Sequence, residues 1–270
     1  MVLARLSSVA LFSAAWLALL LTGCASSSTP ADPTANQSPN KIYADAKEEI
    51  SAGSYDKAII LFEKLEGRAA GTPLAQQAQL EKAYAHYRSE EPAQAIATLE
   101  RFIKLHPASP ALDYALYLKG IVNFNDKLGA FAFISRQDLS ERDQKAAKES
   151  FESFKELVTR FPESRYTPDA SQRMVYIVNA LAQYEVHVAR YYYKRGAYVA
   201  AINRAQIALT DYRDVPALEE ALFIVLQSYE ALGLTALRDD TRRIMEKSYP
   251  KSAYLTSGGK VQSNPWWKFW

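Results

Sequence analysis

One short pattern returns along this chain, and it constrains the fold more than any single motif does. In "GSYDKAIILFEKL", Gly53 and Tyr55 precede Ala58, Phe62 and Leu65; in "EEPAQAIATLERFIKLHP", Ala95, Leu99, Phe102 and Ile103 precede Pro107. In "RGAYVAAINRAQIALTDY", Gly196 and Tyr198 precede Ala201, Ala205, Ala208 and Leu209. Apolar or small residues at i, i+4, i+7 and i+8 form one stripe of a helix, and a small residue at its head lets a neighbouring helix approach closely. Another unit, "AAKESFESFKELVTRFP", keeps the register with Ser150, Phe154, Leu157 and Val158 before Pro162. The last, "GLTALRDDTRRIMEKSYP", keeps Gly233, Met245 and Pro250 but puts Arg238 and Arg242 on the stripe. It reads as a degenerate capping unit, because the end of a stack needs a polar outer face.

A second apolar helix pattern precedes these stripes: Ala83, Tyr84 and Tyr87 in the second unit, Tyr114, Leu118 and Val122 in the third, Ala189 and Tyr192 in the fourth. Ala58 and Ala95 lie 37 residues apart and Ala95 and Ser150 lie 55 apart, so the third unit carries an insertion, at about 126–142. Paired helices at this spacing are similar to the tetratricopeptide repeat, a helix–turn–helix unit of about 34 residues. No run of alternating apolar residues bounded by turn signals reads as a strand. The predicted fold is therefore all-α, a superhelical solenoid of about five tetratricopeptide-like repeats, with repeats one to three in 42–162 and repeats four and five in 163–250. Such a stack presents an extended concave surface to peptides or domains, so the architecture is one for binding.

The N-terminus assigns a compartment. "MVLARLSSVALFSAAWLALLLTGC" has Arg5 in a short charged region and then thirteen uncharged residues from Val9 to Leu21. That run is shorter than the roughly 20 residues of a spanning helix and reads as a signal peptide, residues 1–23. It ends in Leu21-Thr22-Gly23-Cys24, which resembles a bacterial lipobox: Cys24, the only cysteine, would carry S-diacylglycerol and, after cleavage, N-palmitate. Ala25 in place of an Asp after the cysteine points to the outer membrane. Several acyl chains anchor stably where one holds only marginally. Residues 24–41, with "ASSSTPADPTANQSPNK" at their centre, have the Ser, Pro, Ala and Asn composition of a flexible tether.

Signals for chemistry are missing. His86, His106 and His187 fall in different repeats, none at a metal-like spacing from another His, Cys or carboxylate. Ser54-Tyr55-Asp56-Lys57 matches a Ser-x-x-Lys pattern but lacks the companion elements of that enzyme class and sits in a repeat turn. Thirty-two Lys and Arg against thirty Asp and Glu leave a charge of +2, too small for a nucleic-acid field. The expectation is a non-enzyme with no cofactor, no metal and no nucleic-acid partner.

The lipobox, tether and repeats together resemble the tetratricopeptide-repeat lipoproteins of the outer-membrane β-barrel assembly machinery. The stretches that carry the resemblance are "LERFIKLHPASPALDYALYLKGI", "SRQDLSERD", "LAQYEVHVARYYYKRGAYVAAINRA" and "FPESRYTPDASQRMVYI". The resemblance implies a periplasm-facing scaffold at the outer membrane, receiving unfolded outer-membrane proteins on its N-terminal repeats. It implies that the C-terminal repeats hold the POTRA region of BamA, with BamC and BamE as further lipoprotein partners. Arg204 matches the family's arginine at the BamA contact; Tyr43, Tyr84 and Tyr87 are expected to line the N-terminal substrate pocket. Arg136, Asp138, Arg142 and Asp143 match a charged motif of the insertion and are expected to fix that loop. Where family members often have an aromatic-Pro-Phe-Gly stretch after the first repeat, this chain has "EGRAAGTPLAQQ". Another repeat lipoprotein that organises the cell envelope would share anchor and fold but not partner.

Residues 251–270 read as a flexible tail beyond the last repeat, ending in "SNPWWKFW". Trp266, Trp267 and Trp270, with Phe269, leave every tryptophan of the processed chain in this tail, since Trp16 is in the signal peptide. Exposed tryptophan beside lysine suits a headgroup layer or a groove on a partner. A terminal aromatic residue also ends the assembly signal of barrel proteins, which the tail would then mimic.

Overall fold

The computed structural model describes residues 33–124 and 141–256. Among these, ten helices pair into five repeats: α1 (Pro39–Ser51) with α2 (Tyr55–Arg68), α3 (Pro73–Arg88) with α4 (Pro92–Leu105), and α5 (Leu112–Asn123) with α6 (Glu141–Arg160). The fourth and fifth pairs are α7 (Thr167–Lys194) with α8 (Tyr198–Asp211) and α9 (Ala217–Ala231) with α10 (Thr235–Ser248), and a last short turn is α11 (Ala253–Thr256). No strand occurs among the described residues. Each helix packs on the next along the chain from α1 to α10, which is the connectivity of a solenoid.

Local signals start and stop these helices. Ser38 caps α1, its hydroxyl accepting from the Lys41 amide at 3.3 Å, and Thr72 does the same for the Ala75 amide in α3, also at 3.3 Å. Proline follows both caps, at the position whose missing N–H would be unpaired anyway. Between paired helices the chain turns through one left-handed residue: Gly53, Gly196 and Gly233 at φ of 70–74°, and Glu90 at 61°. In the first turn the Gly53 amide donates to the Ile50 carbonyl and the Ser54 amide to that of Glu49, which closes the helix end.

The stripes are the core. Ala58, Phe62 and Leu65, then Ala95, Leu99 and Phe102, Ser150, Phe154 and Leu157, and Ala201, Ala205 and Ala208 are all fully buried. At the third repeat, α5 and α6 meet on Gly120: the buried Ser150 hydroxyl donates to the Gly120 carbonyl at 2.8 Å, and a Cβ on Gly120 would overlap the Phe154 ring. The fifth repeat departs from expectation. Its buried seam is Thr241 and Met245, with Arg238 half-buried and paired with Asp239, and Arg242 exposed, since an uncompensated cation inside the seam would be costly to desolvate. Its outer side is also less polar than a cap requires, since Leu234, Leu237 and Ile244 are 43%, 46% and 53% exposed.

Two boundaries differ from those expected. The stretch assigned to the tether is folded from Thr34 onward: Thr34 is buried, Arg68 donates to its carbonyl, and α1 begins at Pro39 inside that stretch. The second is the expected flexible tail, which is folded as far as Thr256: Ser252 is buried and α11 spans Ala253–Thr256. Helix α7, at 28 residues, is about twice the length of the other first helices. Its first half joins α5 and α6 in one core through Ala170, Ile177 and Leu181. Its second half joins α8 and α9 in another through Val186 and Ala189.

Candidate functional site

The curvature of the stack decides which face can enclose a partner. Besides neighbours in sequence, the main packing is α3 on α5 and α7 on α9, all first helices of their repeats. First helices thus crowd together, so their side is the inner one.

Four of them bring a half-buried stripe to that side: Tyr43 and Lys47 on α1, Glu81 and Tyr84 on α3, Tyr114 and Tyr117 on α5, and Asp169, Arg173 and Tyr176 on α7. Spacings of three, four and seven residues keep each set on one helix face. The stripes then join across repeats. Lys47 donates to Glu81 at 2.9 and 3.0 Å, and the Tyr43 hydroxyl takes a bond from Gln77 at 2.6 Å. Arg88 lies over the rings of Tyr55 and Tyr84 at 5.1 and 5.8 Å. Tyr166 stacks on Tyr117 at 4.7 Å and tilts against Tyr114 at 5.6 Å, with Arg165 over its ring at 4.7 Å. The Tyr117 hydroxyl donates to Asp169 at 2.8 Å, Arg173 donates to the same carboxylate at 2.7 Å, and its guanidinium covers Phe124 at 4.7 Å. Phe124 in turn meets Tyr176 at 5.6 Å.

The result is a continuous wall of tyrosine and arginine spanning the first three repeats and the start of the fourth. Burial, with Glu81, Tyr166 and Tyr84 nearby, pushes the Tyr114 phenol far above its usual range, so it stays a neutral hydroxyl. Burial would raise the Asp169 carboxyl, but bonds from Arg173 and Tyr117 outweigh it and hold the group below its usual value, ionised. Rigid aromatic rings with fixed polar tips offer large contact area at low entropy cost.

A second set of charges lies on the C-terminal repeats. Arg190 on α7 makes a two-pronged pair with Glu220 on α9, at 2.5 and 2.6 Å. Arg204 on α8 donates to Glu185 on α7 at 3.1 Å; the carboxylate is 9% exposed and the arginine 41%. Arg204 therefore neutralises a buried carboxylate and still shows part of its guanidinium to solvent.

Of the residues expected to line a pocket, Tyr43 and Tyr84 lie on the wall, and Tyr87 is exposed on α3. The wall also contains Tyr114, Tyr117, Tyr166, Tyr176 and Phe124, which sequence reasoning does not single out as site residues. Tyr114 and Tyr117 have an i, i+3 aromatic spacing on a first helix, a pattern that core and surface share, whereas Phe124 and Tyr166 sit at helix ends and Tyr176 carries no such spacing. Arg142 and Asp143 fall in the first turn of α6, their side chains outside the described residues, as are Arg136 and Asp138. Cys24 and the tail residues Trp266, Trp267, Phe269 and Trp270 also lie outside them. Among the described residues no group of three His, Cys, Asp or Glu could hold a metal. His86 instead pairs with Glu91 at 2.7 Å, and His106 packs on the Phe102 ring at 5.1 Å.

Comparison with known proteins decides the family. The family model YfiO, described as outer membrane lipoprotein, matches residues 35–244. The chain belongs to this family. It is 44% identical over 257 residues to the outer membrane protein assembly factor BamD of Neisseria meningitidis serogroup A, covering 94% of this chain and 96% of that protein. It is 34% identical to the assembly factor of the same name from Vibrio cholerae, over 84% of this chain and 93% of that one. The family match takes in all five helix pairs save the last turn of α10, so the aromatic wall and the Arg204–Glu185 pair both fall inside it.

Proposed function

We propose that this chain is a non-catalytic scaffold of outer-membrane β-barrel assembly, held at the periplasmic face of the outer membrane by acyl chains on Cys24. No helix among the described residues is long and apolar enough to cross a membrane, which fits attachment through lipid. The inner wall of repeats one to three receives extended segments of unfolded barrel proteins. Tyrosine hydroxyls and arginines meet the backbone and carboxylates of the segment, and the ring faces meet its aromatic side chains. The C-terminal repeats hold the POTRA region of BamA, where the exposed part of Arg204 offers charge-assisted hydrogen bonds to a carboxylate. BamC and BamE are the further partners, where present.

The similarity to assembly factors along nearly the whole chain is the observation that carries this reading. The experiment is depletion of the protein, combined with affinity purification from detergent-solubilised outer membranes. The expected result is loss of barrel proteins from the outer membrane on depletion and recovery of BamA with the tagged chain. Normal barrel assembly in depleted cells would overturn it.

A further inference from the structure

Leu237 and Ile244, seven residues apart, lie on one face of α10, and Leu234 begins the same face one turn earlier. All three are exposed, although a terminal repeat normally ends in a polar surface. Elsewhere in the stack each second helix is covered by the first helix of the following repeat, whereas α10 has no such helix after it among the described residues. The short α11 comes next and doubles back: Tyr254 stacks on Phe223 at 4.9 Å, and Tyr254 and Leu255 pack against the cluster of Phe223, Leu226 and Met245. The chain thus leaves the described region at Thr256, next to residues that pack on the seam between α9 and the buried Met245 of α10.

Fourteen residues remain, 257–270. Extended, they span roughly 45–50 Å, and the 14-residue α10 is only about 21 Å long. The ten residues from Thr256 to Trp266 already reach any point on that helix, at about 33 Å. The segment ends in Trp266, Trp267, Phe269 and Trp270, each of the rings able to cover roughly 150–250 Å².

We propose that the chain's own C-terminal segment docks its tryptophans on the Leu234, Leu237 and Ile244 face of α10 and completes the last repeat in place of a capping helix. The lipid surface, a partner protein and the tail of a second copy are the other occupants that such rings would suit. Self-docking is favoured because the segment leaves from the last repeat, at the α9–α10 seam, and is long enough to reach the uncovered face of the same repeat.

The processed chain carries its own probe, since its only tryptophans are in the segment. The experiment compares tryptophan emission and acrylamide quenching of the full mature chain, of the L237E/I244E variant and of the wild type with phosphatidylethanolamine–phosphatidylglycerol vesicles. Expected are blue-shifted, protected emission in the wild type alone, unchanged on tenfold dilution, and red-shifted emission with several-fold stronger quenching in the variant. Both substituted residues are surface residues, and helical circular dichroism checks that the variant is folded. Emission of solvated indole in the lipid-free wild type overturns the proposal, whether or not vesicles then shift it. So do protection that survives L237E/I244E in the monomer and protection that disappears on dilution, which would point to another face or a second copy.

Discussion

At the scale of single residues, close approach and compensated charge are where this fold is most sensitive to change. Gly120 has no room for a methyl group, because the Phe154 ring fills the space its Cβ would need and Ser150 ties the two helices together there. Gly120→Ala is therefore expected to destabilise despite the better helix propensity of alanine, by about 1–3 kcal/mol from overpacking, read from denaturant midpoints. Glu66 accepts from Gln79 at 2.7 Å and Lys82 at 3.0 Å and pairs with Arg101, bridging α2, α3 and α4. Burial would raise its carboxyl, but these partners outweigh burial and keep it below the usual carboxylate value. The stabilisation is then fully present above the unfolded value, about pH 4.3, and is lost as pH falls through the lower folded value. Glu66→Gln should lower stability at pH 7 by about 1–2 kcal/mol, and the gap to the wild type should shrink in unfolding curves taken below about pH 4.

At the scale of elements, α7 is the member that makes two cores one molecule. Leu181 closes the core shared with α5 and α6, and Val186 opens the one shared with α8 and α9. Between them Gln183 is exposed, so a substitution there removes no core contact. Gln183→Pro, which breaks a helix interior at a cost of about 3 kcal/mol, is expected to split one thermal transition into two when followed by circular dichroism. Gln183→Gly, costing about 1 kcal/mol, should keep a single transition at lower temperature. Coupling by nearest-neighbour contact is what lets a repeat stack melt in parts once a shared helix is interrupted.

At the scale of the whole molecule, the stack turns its first helices inward and so lines a curved wall with tyrosine and arginine. A paired change, Tyr114→Ala with Tyr166→Ala, removes the centre of that wall. It is expected to weaken binding of a fluorescent peptide ending in an aromatic residue by tenfold or more, consistent with about 1.4 kcal/mol or more for a central aromatic contact. Fluorescence anisotropy checks this, and recovery of BamA with the same variant should stay unchanged if the two surfaces act separately.

Helix positions, turns and the buried stripes are legible in the chain because they are local: capping residues, left-handed turns and a spacing of three to four residues each act within one or two helical turns. Thus spacing alone assigns Ala58, Phe62 and Leu65 to the core, and resemblance marks Arg204 as a site candidate. The continuity of α7 is hidden by the repeat period, which divides the chain without regard to helix length, although no glycine or proline interrupts this helix after Pro168. Glu185 gives no sign of its role as Arg204's partner, since the two are 19 residues apart on different helices. The wall is hidden for the same reason: Tyr117 and Asp169 meet across 52 residues, and an aromatic residue at helical spacing serves a core and a surface equally well. Sequence by itself determined the kind of element, the turns between paired helices and the apolar face of the regular repeats, because those depend on the backbone and nearby side chains. Only the tertiary structure decided which polar faces converge, which charges compensate each other and which apolar face of the last repeat stays uncovered, because these depend on how successive helices are rotated in the stack.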